Sequence, residues 1–226
     1  AALVCVLVLV LLAGPAALVW YNVNISHERD IATTASRSAA LALFQLAYKE
    51  HERDPKSEVL SNYTKCAELL EGAAVRLPDD LEVRWKLVEC HINTSDIYLK
   101  MGQPREAIQA AQKARDLLSK VAERSPHHAK VTPSWVVALG NVAEAYRELG
   151  EWNAARAACI AAEQWATGND GSLKLKYKCL TTWASILAAQ ATVGDEHQRI
   201  AEAIRSWETA RDAIEELIDQ NPREYG

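Results

Sequence analysis

Two pairs of cysteines are the side chains whose spacing most suggests chemistry. Cys66 precedes Pro78 by 12 residues and Cys90 follows it by 12. Cys159 and Cys179 flank Asn169 by ten on either side. If the breaks at Pro78 and Asn169 fold the chain into antiparallel hairpins, each pair lies at one height. Disulfides Cys66–Cys90 and Cys159–Cys179 are then geometrically possible in an oxidising compartment. The alternative is that cysteine serves as a small buried apolar residue where the chain otherwise uses alanine. The fifth cysteine, Cys5, lies in an apolar N-terminal run.

Other reactive groups are sparse. His127-His128 is the one histidine cluster, and with no Cys or further His nearby it reads as a solvated loop rather than a metal site. His27, His51, His91 and His197 are isolated and read as partly exposed helix residues. The chain has no Gly-rich phosphate loop, no His-Arg-Asp or Asp-Phe-Gly, no Gly-x-Ser-x-Gly and no His-Glu-x-x-His. The expectation is therefore a non-enzymatic chain without cofactor or metal. Three Asn-x-Ser/Thr sequons begin at Asn24, Asn62 and Asn93, and they matter only in a eukaryotic secretory setting.

The net charge of -5 is local. From Asp195 onward nine acids face four bases, so this stretch holds the whole excess (nine minus four is five) and reads as a solvated helix face. No basic stripe exists, which argues against a nucleic-acid partner. The first 26 residues carry no charge, and an apolar run beginning at Leu3 extends to Trp20-Tyr21. That length suits a bilayer-spanning helix with an interfacial aromatic anchor over residues 1–22. The rival is a secretory signal peptide cleaved near Ala13-Gly14-Pro15-Ala16. Without an initiating Met or basic leader, the chain is expected to begin at or inside the span, with further sequence upstream.

The remaining pattern is helical throughout, with no alternating strand signal. Helices are predicted over Ile25–Lys49, with direct continuation from the N-terminal helix left open, from Asp54-Pro55 to Pro78, over Leu81–Lys100, and from Pro104 past Val121. Further helices are predicted from Thr132-Pro133 to Leu149, from Gly150 to about Ala166, over Leu173–Val193 and over Glu196–Gln220. Punctuation and small residues recur every 48 positions: Pro78 and Pro126, Gly102 and Gly150, Ala107, Ala155 and Ala203, Ala114, Ala162 and Ala210. A fixed period in this range marks stacked helical repeats, in which no unit buries its apolar face alone.

Tyr98, Gly102, Ala107, Ala111 and Ala114, echoed by Tyr146, Gly150, Ala155, Cys159 and Ala162, resemble the aromatic, turn glycine and small residues of tetratricopeptide-type repeats. The likeness covers roughly residues 40–222; the period is 48 rather than the family's usual 34, and the family's Trp position is largely lost. The arrangement of anchor, helical stalk and repeats also resembles the region behind the kinase domain in some bacterial membrane-anchored serine/threonine kinases. The resemblance implies an all-α fold of antiparallel helix hairpins stacked as an α-solenoid, preceded by one transmembrane helix. Residues 1–22 would form that helix, 23–53 a stalk and first repeat helix, and 54–226 the repeat domain.

In such an array the first helices line a groove that takes a protein or peptide. Registered on the two glycines, its walls would be Ile92, Asn93, Asp96 and Leu99, then Gly140, Asn141, Glu144 and Arg147. Leu41, Phe44 and Tyr48 would add apolar surface, and Thr181, Ala184 and Ala188 a bland end. The resemblance implies that Asn93 and Asn141, again 48 apart, clamp a peptide backbone, since a carboxamide both donates and accepts; inter-repeat hydrogen bonds are the equal alternative. The expected protein is a single-pass membrane scaffold with its repeats outside the cytoplasm. A structural stalk, a self-association module stacking on another copy, and an accessory region of an upstream enzyme are the other readings.

Overall fold

The computed structural model describes the backbone of residues 2–51, 57–125, 128–168 and 181–189, with a few positions between 201 and 212. Side chains are described from residue 21 onward and, in the stretch ending at 168, as far as residue 166. The described chain is all-helical, without a strand. Six helices follow one another: α1 (Ala2–His51), α2 (Ser57–Arg76), α3 (Leu81–Lys100), α4 (Pro104–Arg124), α5 (Val131–Glu148) and α6 (Trp152–Gly168). Residues 181–189 are also helical. Asp54-Pro55, the expected start of the second helix, and the expected eighth helix lie outside the described residues or nearly so.

Helix α1 runs unbroken for 50 residues, so the helix over Ile25–Lys49 continues directly from the N-terminal run. At 1.5 Å per residue it is about 75 Å long. From Thr33 onward its buried stripe is Thr33, Ala40, Phe44 and Ala47, at helical spacing. Among the described residues no helix is long and apolar enough to cross a membrane. The apolar run expected to do so falls on residues whose side chains, up to residue 20, are not described.

The breaks are built by specific residues. Asp80 caps α3, its carboxylate accepting from the Val83 N–H at 3.1 Å. Two turns then repeat the same hydrogen-bond pattern 48 residues apart. At the first, Gly102 N–H bonds to the Leu99 carbonyl (2.9 Å) and Gln103 N–H to the Tyr98 carbonyl (2.8 Å). At the second, Gly150 bonds to Arg147 (3.0 Å) and Glu151 to Tyr146 (2.9 Å). Both are Schellman turns, and both need a left-handed residue at the glycine: φ is 68° at Gly102 and 73° at Gly150.

Each hairpin packs on the next. α1 pairs with α2, α3 with α4 and α5 with α6; α2 lies on α3 and α4 on α5. The first helices of successive hairpins also touch, α1 with α3 and α3 with α5, whereas α2 and α4 do not meet. The hairpin packing is consistent with a helical repeat. Small residues set the close approaches: Ala107, Ala111 and Ala114 of α4 and Ala155 of α6 are fully buried, and Ala162 nearly so. Three apolar clusters follow one another along the chain. The first joins α1, α2 and α3 around Phe44, Tyr63, Leu70 and Leu87. The second joins α3, α4, α5 and α6 around Trp85, Leu118, Trp135 and Leu139. The third joins α4, α5 and α6 to residue 186 through Ala111, Val142 and Ile186.

Candidate peptide-binding face

The first helices α1, α3 and α5 present one shared polar face. On α3 it is the stripe Glu82, Lys86, Glu89, Asn93, Asp96 and Lys100. Arg37 of α1 pairs with Glu82 and with Asp80 (3.3 Å). Lys86 bonds to Glu89 at 2.5 Å and lies over the Phe44 ring, 4.2 Å from its centroid. Lys130, next to the start of α5, reaches Glu89 at 3.1 Å.

At the far end of that stripe Asp96 is the centre of a three-residue network. His51 Nε2 stands 2.7 Å from the Asp96 carboxylate, and Lys100 Nζ is 2.7 Å from the same oxygen. Burial acts to raise the Asp96 pKa, but the hydrogen bonds from His51 and Lys100 outweigh it and hold the carboxyl below its ordinary value. Tyr48, one turn before His51 on α1, is 48% exposed beside this network. Its ring stacks on Phe44 with centroids 6.2 Å apart. Glu144 and Arg147 pair with each other on α5, Arg147 Nε at 2.9 Å from Glu144 Oε2. That carboxylate is the main reason the Arg147 pKa is raised.

The two asparagines are spent inside the molecule. Asn93 Nδ2 donates to the Tyr63 hydroxyl at 3.1 Å, and Asn141 Nδ2 donates to the main-chain carbonyl of Ile92 at 3.3 Å. Both bonds cross between hairpins, which is the alternative that the register left open. Phe44 and Ile92 are buried, because they share stripes with Ala40 and Ala47 and with Trp85 and Val88. They belong to the core rather than to open surface. Leu99 is half-buried, and Ala184 is fully buried. Of the predicted wall, Phe44, Ile92, Asn141 and Ala184 are buried, Tyr48 and Ala188 are exposed, and the others, Asn93, Asp96, Glu144 and Arg147 among them, are half-buried.

The structure brings Cys66 and Cys90 together, with their sulfurs 3.2 Å apart and no exposure to solvent. Cys66 Sγ also donates to the Ala40 carbonyl at 3.1 Å. Cys159 is buried in the third cluster, and Cys179 lies outside the described residues.

Several contacting residues have no signal in their local pattern. His51 reads as an isolated helix histidine, yet it joins Asp96 and Lys100. His128 is exposed in its loop, as expected, and its ring also stacks on Trp85 with centroids 4.8 Å apart; its neighbour His127 is outside the described residues. His91 is buried, with Glu71 at 3.8 Å. Burial, with a smaller push from Lys113, lowers its pKa to about 4, so it is neutral at physiological pH. One signal could have found several of these long-range contacts, namely the repeat period itself. Arg37–Glu82, His51–Asp96 and Arg124–Asp79 are each 45 residues apart, and Lys100–His51 and Asn141–Ile92 are each 49 apart.

On the opposite side the second helices stand apart. A cavity of about 350 Å³ opens between α2 and α4 over α3, with Glu68, Glu71, Glu106 and Lys113 on its walls and His91, Thr94 and Tyr98 at its base. Contact among first helices and separation of second helices bend the array toward the first-helix face. Among the described residues no group of three or more acidic, His or Cys side chains could hold a metal ion. Comparison with known proteins finds no matching family model, no similar curated protein and no similar solved structure.

Proposed function

We propose that this chain is a non-catalytic scaffold whose first-helix face binds an extended segment of a protein or peptide. The observation that supports this best is the placement of Tyr48. It is a large, half-exposed aromatic side chain one turn along α1 from His51, which joins the charged Asp96–Lys100 pair. Such a site combines an apolar contact on α1 with charges of both signs on α3. The 48-residue turn register supports the finer reading of a tetratricopeptide-like α-solenoid. Residues 1–22 are proposed as a single membrane-spanning helix, with α1 continuing as a stalk toward 53 and the repeats, over 54–226, lying outside the cytoplasm. The parent protein is proposed to be a membrane-anchored serine/threonine kinase whose catalytic part is upstream.

A structural or self-associating module is favoured by a different observation: most charges on the first-helix face already pair with one another. Panning a displayed library of random linear peptides against the full chain in nanodiscs separates the two readings. The scaffold reading expects enrichment of a sequence family that loses capture when Tyr48 is replaced by Ala. No enrichment, together with a dimer in light scattering, would favour self-association.

A further inference from the structure

We propose that Cys66 and Cys90 are oxidised to a disulfide that fastens the first hairpin to the second. Both side chains point into the seam where α2 docks on α3, and nothing separates the sulfurs. Packing alone does not explain two cysteines here. One repeat later, at positions 114 and 138, the corresponding seam between α4 and α5 holds Ala114 and Ala138. Both are fully buried in one cluster. Two alanines thus suffice to close this register in the same molecule. At the first seam the chain instead carries two thiols that face each other from positions 24 residues apart.

The chemistry is a thiol–disulfide exchange with an oxidised dithiol carrier or with glutathione disulfide. Before docking both thiols meet water, so either can act first. With Cys66 first, its thiolate attacks one sulfur of the carrier disulfide and releases one carrier thiol. Cys90 then gives up its proton and attacks the Cys66 sulfur of the mixed disulfide, releasing the second carrier thiol. Two electrons and two protons pass to the carrier, and one S–S bond forms in the chain. Because neither sulfur is exposed, exchange takes place before α2 has docked, and the finished bond is shielded from reductants in the folded protein. The bond would constrain α2 against α3 directly beneath the cavity, since Ala67 and His91, the residues following the two cysteines, both line it.

The inference is independent of what the first-helix face binds. The test refolds the full chain in mixed reduced and oxidised glutathione, blocks free thiols after denaturation, and maps tryptic peptides without reduction. A linked species joining peptides 66–76 and 87–100, lighter than the two free peptides by two hydrogens, is expected. Closing a chain segment of this length is expected to raise Tm by roughly 5–15 °C over the reduced protein. The double variant Cys66→Ala/Cys90→Ala, which copies the later seam, is expected to fold with a Tm insensitive to reductant. Recovery of both peptides separately in blocked form would overturn the inference. So would linkage of either cysteine only to Cys159 or Cys179.

Discussion

Asn141 donates its side-chain N–H to the main-chain carbonyl of Ile92, 3.3 Å away, across the seam between the second and third hairpins. Ile92 sits in mid-α3, where the carbonyl already accepts the helical bond, so Asn141 uses its second lone pair. Because the carboxamide is buried at 8% exposure, its partner is fixed by the stacking of the hairpins.

Replacing Asn141 by Ala removes this bond without leaving a buried donor unpaired. A loss of about 1 kcal/mol is expected in urea denaturation. Asn141→Leu is expected to cost more, because a branched apolar group there displaces the Ile92 main chain. A neutral effect of both would mean that the seam does not depend on Asn141.

The two Schellman turns predict a matched pair of glycine effects. A Cβ at Gly102 or Gly150 would meet no neighbour within 4 Å, so only the left-handed backbone penalises it. Gly102→Ala and Gly150→Ala are each expected to destabilise by about 1 kcal/mol. Gly140 lies inside α5, also with open space around its Cβ position. Gly140→Ala is expected to stabilise by about 0.5–1 kcal/mol, since only helix propensity changes. Chemical denaturation of the three variants checks the opposite signs.

His91 predicts a pH dependence. Its pKa is about 4 in the folded chain, against 6.5 for a histidine in water. Between those values the unfolded chain holds more protons than the folded one, so stability falls as pH drops from 6.5 toward 4. Above pH 6.5 this contribution is fully present. The loss at pH 4 is on the order of 2–3 kcal/mol, set mainly by burial, with Lys113 adding to it. His91→Gln is expected to flatten the slope in a denaturation series run from about pH 7 to about pH 4.5. An unchanged slope would place the titration elsewhere.

Much of the fold is legible in the sequence because its determinants are local. Asp80 announces a helix start, and Gly102 and Gly150 announce turns that few other residues tolerate. Those signals bound Leu81–Lys100 to the residue. The buried histidine is not legible. α3 is packed by α1, α2, α4 and α5, so even its polar side chains are enclosed. His91, Thr94 and Ser95 are all buried, and Ser95 donates to the Ala107 carbonyl at 2.9 Å. Polar residues at these positions interrupt the apolar stripe that signals a buried face. The repeat register gives the face itself, but exposure along it depends on how closely α1 lies against α3. Sequence spacing fixes which residues share a side of one helix, not which of them a neighbouring hairpin covers. Phe44 and Tyr48 are a single turn apart, and only the second is open to solvent.

The claim that the first-helix face is the working surface is tested most directly by titration calorimetry. A library-selected peptide is titrated into the full chain and into two variants, Tyr48→Ala/Lys100→Glu on the first-helix face and Glu71→Lys at the opposite cavity. At least a tenfold weakening is expected for the first variant (about 1.4 kcal/mol) and no change for the second. Unchanged affinity in Tyr48→Ala/Lys100→Glu, or loss confined to Glu71→Lys, would contradict it.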